Sequence, residues 1–331
     1  MATSCFSRRR VLVLSSLLTP LGACPQVTAA ARSRIGVLWL GESTTNRGPL
    51  PRERYLRASL HQLGWSDGQN LKIDSRFVGD GENASREVEA LLAAKVDLIV
   101  AMGSPLALAA KLMTSTVPIV FLVFGDPVDF RLIDSLARPG RNMTGIYLPT
   151  ASHAGKRLDL LHRAVQGSTR IAVLKFPNSQ ANREFRITEA AAAQLGIELV
   201  EMEVGAIADL ETAFIACKKA GAKALTILTE PRVSTNLKRL ADMAAVQRLP
   251  AIAGYDGFAW LGGFMSYAAD GLEGIKRVAY FVDRILKGAQ PADLPVEQSA
   301  RYVLALNVKT AKTFGMSFPR DLVRYANVLI S

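Results

Sequence analysis

The chain has 331 residues, 49% of them hydrophobic, which is enough length and apolar content for two domains with sizeable cores. The formal charge is +11, yet Lys and Arg are interspersed with acids, which argues against the basic stripe of a nucleic-acid binder. His61, His153, His162 and the three cysteines show no ligand spacing, so no metal centre is expected.

Residues 1–31 read as an export signal. Arg8, Arg9 and Arg10 form a basic start, Val11–Leu18 a short apolar stretch, and Thr28-Ala29-Ala30-Ala31 a small-residue cleavage region. The apolar stretch is too short to span a bilayer as a helix, and Pro20 interrupts it. Ser7–Leu12 resembles a twin-arginine export motif. Leu21-Gly22-Ala23-Cys24 resembles a lipobox, whose cysteine would become a lipidated terminus. The segment holds three arginines and no acid, so the remainder carries +8. Cleavage after Ala31 leaves only Cys217, which shares a helix stripe with Leu210 and Phe214 and is expected as a buried thiol.

From Arg34 onward strands and helices alternate. Arg34–Leu40 is expected as a strand, Arg52–Leu63 as a helix stopped by Gly64, and Leu71–Phe77 as a second strand. Ala84–Lys95 is a helix with Val88, Leu91 and Leu92 on one face. Val96–Met102 is an apolar strand, and Gly103-Ser104-Pro105 opens an alanine-rich helix. Ile119–Gly125 is a continuous apolar run between Pro118 and Asp126-Pro127, the pattern of a parallel strand buried on both faces. Met143–Leu148 is a strand and Ser152–Val165 a helix. The same alternation then repeats: strands at Arg170–Lys175, Ile197–Glu203, Ala222–Thr229 and Ala251–Ala253, helices at Gln180–Leu195, Ile207–Ala220 and Ser234–Gln247. Last come a strand Gly263–Tyr267, a long helix Gly271–Lys287, a linker Gly288–Pro295, a strand Arg301–Leu306 and, after the N-cap Asn307, a helix Val308–Phe314.

This repetition predicts an α/β fold of two doubly wound parallel-sheet lobes. The C-terminal elements are too few for a third domain and are expected to return to the two sheets, giving a hinge and an interlobe cleft. Lobe 1 is then residues 32–148 with about 267–292, and lobe 2 residues 149–266 with about 293–331.

Open α/β sheets bind ligands at the carboxyl ends of their strands. In lobe 1 that edge offers Glu42, Ser43, Gly103, Ser104, Phe124 and Asp126; in lobe 2 it offers Asn178, Ser179, Glu230, Tyr255 and Asp256. Ser43, Ser104 and Ser179 precede helical patterns, where free N–H groups favour a carboxylate; simple capping is the competing role. Asp126, fixed between Gly125 and Pro127, would accept from an ammonium or serve as a turn aspartate. The rings of Trp39, Phe124 and Tyr255 either face the ligand or pack the core. Other classes lack their motifs. Gly41-Glu42-Ser43 is not the Gly-x-Gly-x-x-Gly of a dehydrogenase, and Gly103-Ser104-Pro105 is not the Gly-x-Ser-x-Gly of a hydrolase. The export segment stands where a DNA-binding helix pair would precede a sensor domain.

Several phrases carry a resemblance: LRASLHQLGWSDGQNLKID (56–74), DLIVAMGSPLALAAK (97–111), VPIVFLVFGDPV (117–128), LARPGRNMTGI (136–146), GGFMSYAAD (262–270), DRILKGAQPADLPVEQ (283–298) and ALNVKTAKTFGMSFP (305–319). On these the chain resembles the substrate-binding proteins of tryptophan/tyrosine-type ABC transporters, which share the type 1 periplasmic binding protein fold. It departs from their pattern at Trp39 and Glu42, where small residues are usual. The resemblance implies a periplasmic, non-enzymatic protein without cofactors. It would capture a small solute, an amino acid among the candidates, and deliver it to a permease with its ATPase subunits. Membrane contact would come only through the permease or a lipidated Cys24. An enzyme on the same scaffold, or a ligand sensor without a transport role, is the alternative.

Overall fold

The computed structural model describes residues 32–41, 52–79 and 83–331; the export segment and the candidates Glu42 and Ser43 lie outside them. Taken in chain order, β1 (Ser33–Leu40), α1 (Arg52–Gln62), β2 (Leu71–Val78), α2 (Ala84–Ala93), β3 (Leu98–Met102), α3 (Ser104–Met113), β4 (Ile119–Phe124) and β5 (Met143–Leu148) come first. Then follow α4 (Ala154–Ala164), β6 (Arg170–Lys175), α5 (Ser179–Leu195), β7 (Glu198–Glu203), α6 (Leu210–Lys219), β8 (Ala224–Ile227), α7 (Pro231–Thr235), α8 (Leu237–Val246), β9 (Ala251–Ala253), α9 (Gly257–Trp260) and β10 (Met265–Ala269). The chain ends with α10 (Gly271–Leu286), β11 (Glu297–Gln298), β12 (Tyr302–Asn307), α11 (Val308–Thr313), α12 (Arg320–Tyr325) and β13 (Val328–Ile330).

Two sheets result, ordered β11-β5-β4-β3-β1-β2 and β13-β12-β10-β9-β8-β6-β7. Helices cover both faces of the first, which is why its strands read as unbroken apolar runs. Leu38, Ile99, Ala101, Phe121 and Val123 pack with Val88, Leu91, Leu106 and Ala110 of α2 and α3. The alternate residues Val37, Val100, Val120, Leu122 and Ile146 pack with Leu56 and Leu60 of α1 and with Ile275, Val278 and Val282 of α10. The second sheet is sandwiched likewise, Leu174, Leu225 and Ile227 against Phe214 and Leu240, and Ile171, Ala224 and Leu304 against Leu158, Leu161 and Leu322.

The pairings are parallel except for β10 with β12. Gly145 in β5 has φ +155°, and a Cβ there would fall 2.1 Å from the Phe121 carbonyl oxygen, so only glycine lets β4 and β5 approach this closely.

The strands and helices differ from the sequence expectation in a few places. The helix expected over Ser234–Gln247 begins earlier, at Pro231, with Glu230 capping it through Arg232 N–H, and breaks at Asn236 into α7 and α8. Gly263 lies under the Phe258 ring and stays outside β10, which starts at Met265 and runs on to Ala269. The chain leaves the second sheet after Ala269. It also stays with the first sheet to Gln298, because Glu297 and Gln298 pair with Ile146 and Tyr147.

Three crossings join the sheets, and they are tied to one another. Tyr302 Oη donates to the Pro149 carbonyl (3.0 Å), and Asp270 N–H donates to the Arg301 carbonyl (2.9 Å). The Asp270 carboxylate caps α10 by accepting from Leu272 and Glu273 N–H and pairs with Arg301 at 3.3 Å. The His153 ring stacks on Tyr302 with centroids 3.6 Å apart.

Candidate ligand cleft

The carboxyl ends of both sheets face one cleft, and their side chains meet across it. Phe124, at the end of β4, packs against the cores of both lobes. Its ring meets Tyr255, after β9, edge-on with centroids 4.9 Å apart. Tyr255 is 2% exposed and donates its hydroxyl to the Glu230 carbonyl at 2.8 Å. Burial, then the nearby Glu230, holds its phenol well above the ordinary range. Beside this pair, Arg52 at the start of α1 reaches Asp256 Oδ1 at 2.5 Å, and Arg183 of α5 pairs with Asp129. Both are exposed enough to be screened by solvent.

The other sequence candidates divide by what already occupies them. Gly103 has φ +138° and turns β3 into α3; Ser104 Oγ donates to the Phe124 carbonyl at 3.3 Å within lobe 1. Asn178 caps α5 through Ala181 N–H at 2.8 Å; the side chain of Ser179 lies outside the described set. Glu230 is engaged inside lobe 2, accepting from Arg232 N–H at 2.7 Å and pairing with Arg232 Nε at 3.0 Å. Asp126 accepts from Val128 N–H at 2.8 Å in an Asx turn; among the described residues it has no cationic partner within ion-pair distance. It thus differs from Glu230 and Asp256, whose charges are already met. Trp39 packs in the lobe 1 core, stacked on Phe77 with centroids 6.4 Å apart.

Sequence reasoning missed Arg52, Gln180, Arg183 and the buried Arg157. Each stands on a helix among other polar residues, where a solvated face is the ordinary expectation. Gln180 approaches Gly125 so closely that a Cβ there would lie 2.9 Å from its Oε1, which with φ +89° requires glycine at the end of β4. Near the crossings, burial and the Arg157 charge hold the His153 imidazole below its usual value, and burial pushes the Tyr302 phenol up to about 12. Cys217 is buried, and burial pushes its thiol up to about 11. Among the described residues no His, Cys, Asp and Glu group could hold a metal, and no helix is long and apolar enough to cross a membrane.

The arrangement brings rings from both lobes together at the strand ends, beside a carboxylate, Asp126, that has no cationic partner among the described residues. A protein from Clostridioides difficile described as tyrosine-binding is 23% identical over 273 residues, spanning 81% of this chain and 77% of that protein. Two solved structures share the fold. A conserved domain protein from Vibrio cholerae superposes with a TM-score of 0.79 at 23% identity, covering 90% of this chain and 99% of that one. An ABC domain in complex with L-Trp from Streptococcus pneumonia gives 0.78 at 21% identity, covering 91% and 100%. The family model for ABC transporter substrate binding proteins matches residues 54–330. The chain belongs to the ABC transporter substrate binding protein family.

Proposed function

We propose that the protein captures an aromatic L-amino acid between its lobes outside the cytoplasm and delivers it to a membrane permease driven by ATPase subunits. The observation that carries this reading is the Phe124–Tyr255 contact, which brings a ring from the end of each sheet together between the lobes. Asp126, which has no cationic partner among the described residues, is the acid that would meet the ligand's ammonium. A charge-assisted bond of this kind is roughly twice as strong as a neutral one. The α3 N-terminus beside Ser104 offers N–H groups to the carboxylate. The names of two similar proteins, tyrosine-binding and L-Trp-bound, agree with an aromatic side chain.

Thermal unfolding with L-Trp, L-Tyr, L-Leu and L-Lys tests the reading. A ligand at 100 times its dissociation constant adds about 2.7 kcal/mol, a shift of roughly 5 °C in a chain of this size. Stabilisation by L-Trp or L-Tyr is expected; no shift with either removes the aromatic amino-acid assignment. Residues 1–31 support export, with a mature start at Arg32 or a lipidated Cys24. N-terminal sequencing of the exported protein distinguishes the two, and a retained Met1 contradicts both.

A further inference from the structure

The first turns of α5 touch three different parts of the molecule. Gln180, Arg183 and Glu184 are spaced three and four residues apart and share one helix face. Gln180 Nε2 donates to Thr150 Oγ1 at 3.0 Å, on the first crossing, while its Oε1 lies against Gly125 of lobe 1. Arg183 pairs with Asp129 in the loop after β4. Glu184 is fully buried. One of its oxygens pairs with Arg157, and the other accepts from the N–H (3.0 Å) and hydroxyl of Thr229.

Arg157, 1% exposed, closes the circuit. Its Nη2 donates also to the Thr150 carbonyl at 3.0 Å. Its guanidinium lies beneath Gly254, where a Cβ would be 3.1 Å from Nη1 and 2.7 Å from Thr229 Cγ2. Thr229 and Gly254 precede Glu230 and Tyr255, the two residues joined by the hydroxyl–carbonyl bond of the cleft wall. A buried ion pair adds little net stability over well-packed apolar residues. What this one supplies is registration: Thr150 of the crossing and Thr229 of the wall are held to the same helix.

We propose that Arg157 and the Gln180–Arg183–Glu184 face of α5 form a positioning unit that couples the approach of lobe 1 to the shape of the Thr229–Tyr255 wall. Its use in ligand capture rests on the function proposed above; the coupling itself is a property of the ligand-free chain. Coupling free energy is reciprocal, so a disturbance at either end must be felt at the other.

Hydrogen exchange on the ligand-free full chain tests this. Gln180→Ala and Arg183→Ala remove contacts to Thr150 and Asp129 and touch neither Thr229 nor Tyr255. In both, exchange over 229–230 and 254–256 is expected to rise about three- to tenfold while 171–174 stays within about twofold. Gly254→Ala displaces Arg157 from the opposite side, and the rise is then expected at 149–151 and 125–130. Arg157→Lys keeps the charge but loses the forked donor geometry and is expected to match Gly254→Ala. Effects confined to the neighbours of each substitution overturn the proposal, and so does an equal rise at 171–174, which signals a general loss of stability. If Arg157→Lys does not fold, the other three variants decide. Because no ligand is present, failure here leaves the amino-acid assignment standing, and failure of L-Trp and L-Tyr to bind leaves the coupling standing.

Discussion

The ring of Phe124 meets the ring of Tyr255 at an interplanar angle of 62°, although Phe124 ends a strand of one sheet and Tyr255 follows a strand of the other. The contact gives each lobe a direct reading of the other. Edge-on aromatic pairs contribute about 0.5–1.5 kcal/mol beyond the area they bury. Phe124 also packs on both cores, so its ring is fixed from two sides.

Tyr255→Phe keeps the ring and removes the hydroxyl, leaving the Glu230 carbonyl without its 2.8 Å donor. The expected loss of stability is about 1–2 kcal/mol. Tyr255→Ala removes the ring as well and is expected to cost about 3–5 kcal/mol. Urea unfolding of the three proteins ranks them, and equal midpoints for Tyr255→Phe and wild type would show that the hydroxyl bond contributes nothing.

Asp126→Asn keeps the size and the Asx turn while removing the charge. With an amino-acid ligand, leaving its ammonium poorly paired is expected to cost about 2–5 kcal/mol of affinity, some 30- to several-thousand-fold. Calorimetry with L-Trp or L-Tyr measures it. Wild-type affinity in a folded Asp126→Asn would shift the assignment to Asp256, whose pairing with Arg52 is exposed enough to exchange partners.

Gly145→Ala places a methyl 2.1 Å from the Phe121 carbonyl in a backbone conformation that side chains rarely adopt. The strands must separate, and a loss of at least about 3 kcal/mol is expected. Soluble yield and thermal midpoint read this directly. By contrast Gly64→Ala, where a Cβ would meet open space, bears only the strain of its φ of +91° and is expected to cost less.

His153 gives a pH dependence. Its imidazole is held below its usual value by burial and then by Arg157, so the folded state binds the proton more weakly than the unfolded chain. Its contribution is complete above the ordinary imidazole value of about 6.5 and is lost as pH falls below it. The thermal midpoint of the wild type is therefore expected to fall more between about pH 7.5 and 5.5 than that of His153→Gln. Parallel pH curves for the two proteins would exclude His153 as the source.

Much of this architecture can be read from the chain. Val96–Met102, Ile119–Gly125 and Met143–Leu148 are largely apolar with Gly, Pro or Asn at one or both ends, and each lies where the structure has a strand within a residue or two. The polar strand Glu297–Gln298 cannot be found this way, because its pairing with β5 supplies the order that its side chains do not. The antiparallel direction of β12 depends on the third crossing, which local pattern does not encode. At the cleft, strand ends locate the neighbourhood, but which acids are already neutralised depends on partners far along the chain. Glu230 is paired with an arginine two residues away, Asp256 with one 204 residues away. Arg157 and Glu184 look solvated in sequence and become visible as a buried pair only after α4 and α5 pack together.

The path of the chain through its two sheets bears on how the protein is made. α10 covers Val120, Leu122 and Ile146, and β11 extends the edge of β5, yet both emerge from the ribosome only after residues 149–269. A nascent chain stopped after β10 would carry a first lobe with one apolar face covered by α1 alone and a second sheet lacking β12 and β13. Neither half can finish folding by itself as translation proceeds, and the final sixty or so residues complete both together.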